Sequence, residues 1–189
     1  MTIMNEKKYV AKEKLSVKNQ TLATITAVVS AVALPQIVHL IGKATGMGTV
    51  FGELLLPMHF PIILVGLLAG PLAGAIAGLL GPLCSFALSG MPSAVVLPFM
   101  MVELCAYGLF AGMLRNVKLP TIVKVLTVQV AGRLSRVIAV AFAFYILGSH
   151  AITIASVWHG VVNGLTGIAI QLIFLPVIVK VVEQMGKHE

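Results

Sequence analysis

The sequence predicts an all-α membrane protein: one domain over residues 1–189, built as a bundle of six transmembrane helices. Three observations lead there. Apolar residues make up 59% of the chain and charged residues 10%, against about a quarter charged in soluble domains. Mean hydropathy is +1.04, so a water-soluble fold would expose far too much apolar surface. The basic residues cluster before the first apolar segment, around one short loop and at the end of the chain, a pattern that fits the positive-inside rule.

The segments follow in order. Residues 1–19 are polar and basic, with Lys7, Lys8, Lys12, Lys14 and Lys18, and read as a cytoplasmic N-terminal segment. They show no signal-peptide cleavage pattern, so the first span is expected to stay in the mature protein. That span is expected at 20–41 and carries Ala23, Ala27 and Ala31 at every fourth position, a small-residue stripe on which a second helix can pack closely. The second span, 56–69, is short and holds Pro57 and Pro61. Broken backbone is tolerated in a bilayer only where protein or a water-filled cavity satisfies the freed polar groups. Residues 53–61 therefore read either as a re-entrant, cavity-lining segment or as a proline-capped helix start. The third span, 72–89, is bounded or kinked by Pro71 and Pro82, and Gly70, Gly74 and Gly78 form a glycine ladder for close packing. The remaining spans are expected at 93–114, 121–147 and 152–181.

Charge supports this count. With the N-terminus inside, Arg115, Lys118 and Lys124 surround an inner loop, and Lys180 and Lys187 close the chain at a cytoplasmic C-terminus. The outer loops 42–55, 90–92 and 148–151 hold one basic residue, Lys43. The net charge of +7 is thus a topology signal, and no nucleic-acid partner is implied.

Ionisable residues at membrane depth are functional candidates. Glu103 lies near the middle of span four. Arg133 lies about 18 Å into span five at 1.5 Å per residue. Both fall near the midplane, where pairing would relieve both charges; the pair either anchors a ligand or staples two helices. Arg136, three residues on, shares a face with Arg133 and lines the same region or snorkels outward. Tyr107 lies one turn after Glu103 and either stacks on a planar ligand or is simply packed. In span six His159 and Asn163 share a face and Gln171 lies below; they serve a small polar ligand or bond to neighbouring helices. Trp158 reads as an interfacial anchor. Glu53 and His59 flank the proline-rich segment as lid residues or as solvated loop. Met47, Met58 and Met91 lie at the outer loops, as adaptable apolar contacts or ordinary packing. The cysteines, Cys84 and Cys105, read as small buried hydrophobes.

Several chemistries are set aside. There is no phosphate-binding G-x-x-x-x-G-K-[ST] loop, no dinucleotide fingerprint, and no H-E-x-x-H or C-x-x-C metal spacing, so no cofactor and no metal are expected. His159-x-x-x-Asn163 matches one element of the CAAX-type intramembrane proteases, but their paired glutamates and their Phe-preceded histidine have no counterpart here. That protease and a purely structural membrane subunit stay as alternatives.

Taken together the chain resembles the substrate-binding S components of energy-coupling factor (ECF) vitamin transporters. The resemblance rests on the size and span count, on Ala23-x-x-x-Ala27-x-x-x-Ala31, and on Leu56-Pro57-Met58-His59-Phe60-Pro61. Gly70-Pro71, Gly90-Met91-Pro92 and the Glu103-Leu104-Cys105-Ala106-Tyr107-Gly108 segment complete it. It implies a multi-pass subunit of the bacterial cytoplasmic membrane, without enzymatic activity. Such a subunit binds a vitamin in an outer-half pocket and docks through span one, by Ala23, Ala27 and Ala31, on a membrane T component. Two ATPase subunits power the cycle, and the subunit topples to release its ligand inside. The expected ligand contacts are His59, Glu103, Tyr107, Arg133, Arg136, His159 and Asn163. Pyridoxine or hydroxymethylpyrimidine suits Glu103, Tyr107, His159 and Asn163. Pantothenate or niacin would use Arg133 or Arg136 to neutralise a carboxylate. A cobalamin-type ligand would need a wide outer mouth.

Overall fold

Apolar helices with no water to bond their backbones must bury or lipid-face every side chain, and the observed elements follow from that constraint. The computed structural model describes residues 15–48, 50–149 and 152–185, with helices and no strand among them. Lys7, Lys8, Lys12, Lys14 and Lys187 lie outside these residues. The helices are α1 (Val17–Ala44), α2 (Val50–Leu55), α3 (His59–Ala69), α4 (Pro71–Ser89), α5 (Leu97–Met113), α6 (Thr121–Tyr145), α7 (Ile154–Asn163) and α8 (Leu165–Met185). Among the described residues five stretches are long and apolar enough to cross a membrane: α1, residues 50–69 (α2 with α3), α4, α6 and α8. The 17-residue α5 is a shorter apolar helix. The six expected apolar segments are thus all helical.

Helix α3 is the hub. Eight of its eleven residues, including Pro61, Ile62, Ile63 and Leu67, are buried, and it packs against α1, α4, α5 and α8. Around it α1 meets α4, α4 meets α5, α5 meets α6 and α6 meets α8. Large apolar side chains such as Leu22, Ile25 and Val29 on α1, Ile138 on α6 and Ile173 on α8 point outward and stay exposed, as helices facing lipid require.

Glycine sets the tightest contact. A Cβ on Gly74 or Gly108 would overlap the backbone of the other, and one on Gly78 would overlap the Leu104 carbonyl. One on Gly112 would overlap the Gly70–Pro71 backbone. The expected ladder on α4 is therefore real at Gly74 and Gly78, and its partner is a second ladder on α5. Gly70 serves differently. With φ +107 it turns the chain between α3 and α4, a conformation that side-chain-bearing residues rarely adopt.

Three boundaries differ from expectation. Span four begins at Leu97 rather than 93, because Gly90 adopts a left-handed cap (φ +71) that ends α4 and residues 90–96 turn the chain before α5. The second span is entered through α2 and a break at Leu56–Met58; Leu56 sits at φ +47. The sixth is two helices, α7 and α8, hinged at Gly164. The two breaks face each other. A Cβ on Gly164 would come within 2.8 Å of the Leu56 side chain, and one on Gly167 within 2.7 Å of the Leu55 carbonyl. The Leu56 carbonyl accepts from Gln171 Nε2 at 3.4 Å, and Gln129 Nε2 on α6 donates to Gln171 Oε1. Backbone freed by one broken helix is thus satisfied by protein from another, as the bilayer demands.

The alanine stripe lies inside the bundle. Ala31 is fully buried and Ala27 nearly so, and both belong to the core with α3 and α4; Ala23 is half-buried against it. The Ala31 side chain faces Gly81 of α4. Ala27 and Ala31 thus let α1 approach its own neighbours, while Ala23 keeps part of its surface exposed.

Candidate functional site

The site begins with a charge that cannot stay alone. Glu103 lies two turns into α5 and has no exposed surface. Arg133 Nη1 donates to its Oε1 at 2.8 Å, and Arg136 Nη1 donates to its Oε2 at 2.9 Å. Tyr107, one turn on along α5, donates its hydroxyl to Oε1 at 2.9 Å. Helix α6 supplies both arginines from one face, three residues apart. It comes close enough because Gly132 has no side chain: a Cβ there would overlap the Tyr107 ring. His59, at the start of α3, completes the cluster. It is buried, its Nε2 lies 3.9 Å from Glu103 Oε1, and its ring centroid lies 5.1 Å from that of Tyr107.

Above this cluster lies a cavity of about 470 Å³, well within the range of small-molecule sites. Its floor is His59, Arg133 and Arg136; its walls come from Pro35, Gln36 and His39 on α1, Ser85 on α4, and Ser93, Val96 and Met100 around the start of α5. Gly52 and Glu53 on α2, the Leu56–Met58 break, and Ser156, His159, Gly160 and Asn163 on α7 frame the remainder, with Met91 and Pro92. Across the mouth Asn163 Nδ2 donates to Glu53 Oε2 at 3.3 Å. The cavity sits at the end of the bundle away from Arg115, Lys118 and Lys124, the end that the charge pattern assigns to the outside.

The expected ligand contacts divide into two tiers. His59, Arg133, Arg136, His159 and Asn163 line the cavity. Glu103 and Tyr107 do not; they lie fully buried behind the arginines and hold them. His59 is a floor residue, not part of a lid, whereas Glu53 stands at the mouth. Met58 and Met91 line the cavity, Met47 does not, and Trp158 points outward, 67% exposed. Sequence reasoning missed Gln36, His39, Ser85 and Ser93. The signal for His39 was a polar residue one turn beyond Pro35, near the end of an otherwise apolar helix.

Donors outnumber acceptors on the floor. Arg133 Nε and Nη2, Arg136 Nε and both ring nitrogens of His59 are buried without a hydrogen-bond partner among the described residues. Two guanidinium groups face one carboxylate, so the cluster carries an excess positive charge.

A family model described as "ECF transporter, substrate-specific component" matches residues 18–179. No curated protein and no solved structure matches the chain.

Proposed function

The chain belongs to the family of ECF transporter substrate-specific components, and from that premise we propose that it captures a vitamin-sized molecule in the cavity lined by α1 to α7. Membership makes it a transport subunit of a multi-pass membrane assembly, working with a T component and ATPases. The observation that carries the ligand reading is the cavity itself: about 470 Å³, lined by residues of seven helices, with a charged floor set deep in an apolar bundle. Intramembrane ionisable groups at a cavity mark a ligand path, and a dry, shaped pocket with a few polar anchors is the usual form of a small-molecule site.

In this reading the ligand enters from the outer face past Glu53, His159 and Asn163 and rests on the floor of His59, Arg133 and Arg136. Glu103 and Tyr107 position the arginines without touching the ligand. Release on the cytoplasmic side follows docking on the T component in the bacterial cytoplasmic membrane, powered by ATP hydrolysis on two partner subunits. Because Ala27 and Ala31 are occupied inside the bundle, docking falls to the exposed apolar faces. A B-type vitamin or its precursor is the substrate class.

The test is to purify the protein in detergent or nanodiscs, release bound small molecules by heat and identify them by mass spectrometry, then titrate candidate vitamins by calorimetry. A stoichiometric vitamin or precursor with sub-micromolar affinity is expected. Failure to retain or bind any vitamin would overturn the proposal.

A further inference from the structure

Five buried polar atoms without partners at the floor of one cavity call for an explanation, because buried donors in folded proteins are nearly always paired. The geometry of Arg133 is specific. It turns Nη1 to Glu103 and leaves Nε and Nη2 unpaired. Those two atoms form the side edge of the guanidinium, a fork that fits the two oxygens of a carboxylate. Arg136 likewise spends Nη1 on Glu103 and leaves Nε unpaired.

Charge narrows the partner further. Two guanidinium groups and the Glu103 carboxylate sum to one excess positive charge. Glu53 at the mouth adds a negative charge that opposes a dianion such as a phosphate ester. A neutral ring would leave the Arg133 fork unpaired in a low-dielectric site, where an unmatched buried donor is costly.

We propose that the ligand carries a carboxylate, received by Arg133 and Arg136 with Glu103 as their permanent counter-charge. This rests on reading the cavity as the ligand site. The unpaired edge is screened from water by the surrounding bundle, so engagement takes a side-chain rotation of the kind that commonly accompanies binding. His159 and Asn163 then meet the opposite end of the ligand.

The experiment compares matched probes on the unmodified protein in nanodiscs: nicotinate against nicotinamide, and pantothenate against panthenol, with pyridoxine and hydroxymethylpyrimidine as neutral rings. Mass spectrometry of the heat-released ligand runs alongside. A released acid, or an acid that binds at least about 10- to 100-fold more tightly than its neutral partner, is expected, as charge-assisted bidentate bonds supply. Arg136→Gln should weaken that acid by a similar factor, while Arg133→Lys keeps the charge beside Glu103 but not the fork and should lose most of the same preference. A neutral ligand released, or neutral and acid probes bound equally, would overturn the carboxylate and leave the cavity reading standing. Nothing released and no probe bound would overturn both.

Discussion

Replacing Glu103 by Gln keeps the shape of the side chain and removes the charge between two buried arginines. Glu103 is wholly buried and accepts from Arg133 at 2.8 Å, Arg136 at 2.9 Å and Tyr107 at 2.9 Å. The amide oxygen can keep part of this network, but the amide nitrogen would point a donor at a guanidinium, and two positive charges would lose their counter-charge. Removing one partner of a buried ion pair costs about 3–5 kcal/mol, an equilibrium factor of roughly 100 to 5,000 at 1.4 kcal/mol per decade. The assay is heating in detergent followed by size-exclusion of the surviving monodisperse protein, with and without ligand. Glu103→Gln should lower the midpoint strongly. The double variant Glu103→Gln with Arg136→Gln should recover part of the loss, because contacting groups in one network are not additive. An unchanged midpoint for Glu103→Gln would refute the counter-charge argument. Lost ligand binding at an unchanged midpoint would show that Glu103 meets the ligand directly, against its burial behind Arg133 and Arg136.

Gly108→Ala should destabilise by about 1–3 kcal/mol or more through overpacking, since the new Cβ would overlap Gly74, whereas Gly160→Ala, where a Cβ meets nothing within 4 Å, should leave the thermal midpoint unchanged or raised. Ala31→Trp should abolish the folded yield by forcing α1 off Gly81, while Ile25→Trp on the exposed face should fold normally; equal yields would contradict the burial of the stripe. His159→Ala and Asn163→Ala should each weaken ligand binding several-fold, consistent with about 0.5–1.5 kcal/mol for one hydrogen bond, with little change in stability, as calorimetry and thermal melts together would show.

The parts legible in the sequence are those fixed by bilayer cost. Six apolar stretches had to be helices, because no other backbone satisfies itself in hydrocarbon. Glu103 and Arg133 had to find each other, because neither charge is tolerable alone at that depth. Arg136 and Tyr107 followed by helical spacing from those two. The proline-rich stretch 53–61 signalled a broken helix, and the chain breaks there at Leu56–Met58. What the sequence could not convey is which small residues face inward. Ala23-x-x-x-Ala27-x-x-x-Ala31 has the spacing of a docking stripe and equally that of an internal seam, and the burial of Ala31 against Gly81 emerges only in three dimensions. The break at Gly164 was equally hidden, since one glycine in an apolar run does not distinguish a hinge from close packing. His39, Ser85 and Ser93 became cavity residues only when helices distant in sequence converged.

The floor and the mouth of the cavity are built to opposite specifications, and the difference bears on how a ligand gets in. The floor rests on α4 and α5, pressed together at Gly74, Gly78, Gly108 and Gly112 so closely that no side chain fits between them. On that base Tyr107 and Glu103 pin both arginines, and contiguous packing of this kind opens only near the global unfolding free energy. The mouth is framed by the six-residue α2 and the ten-residue α7. The first has no buried residue, and Glu53 and Asn163 join the two through one hydrogen bond at 3.3 Å. Segments with few buried contacts open at low free energy. Leu56, at φ +47 beside the mouth, adds strain of roughly 1–3 kcal/mol that any movement of α2 can release. On the proposed function, access is therefore a local event at α2 and α7, and the arginines turn toward the ligand only once it is inside.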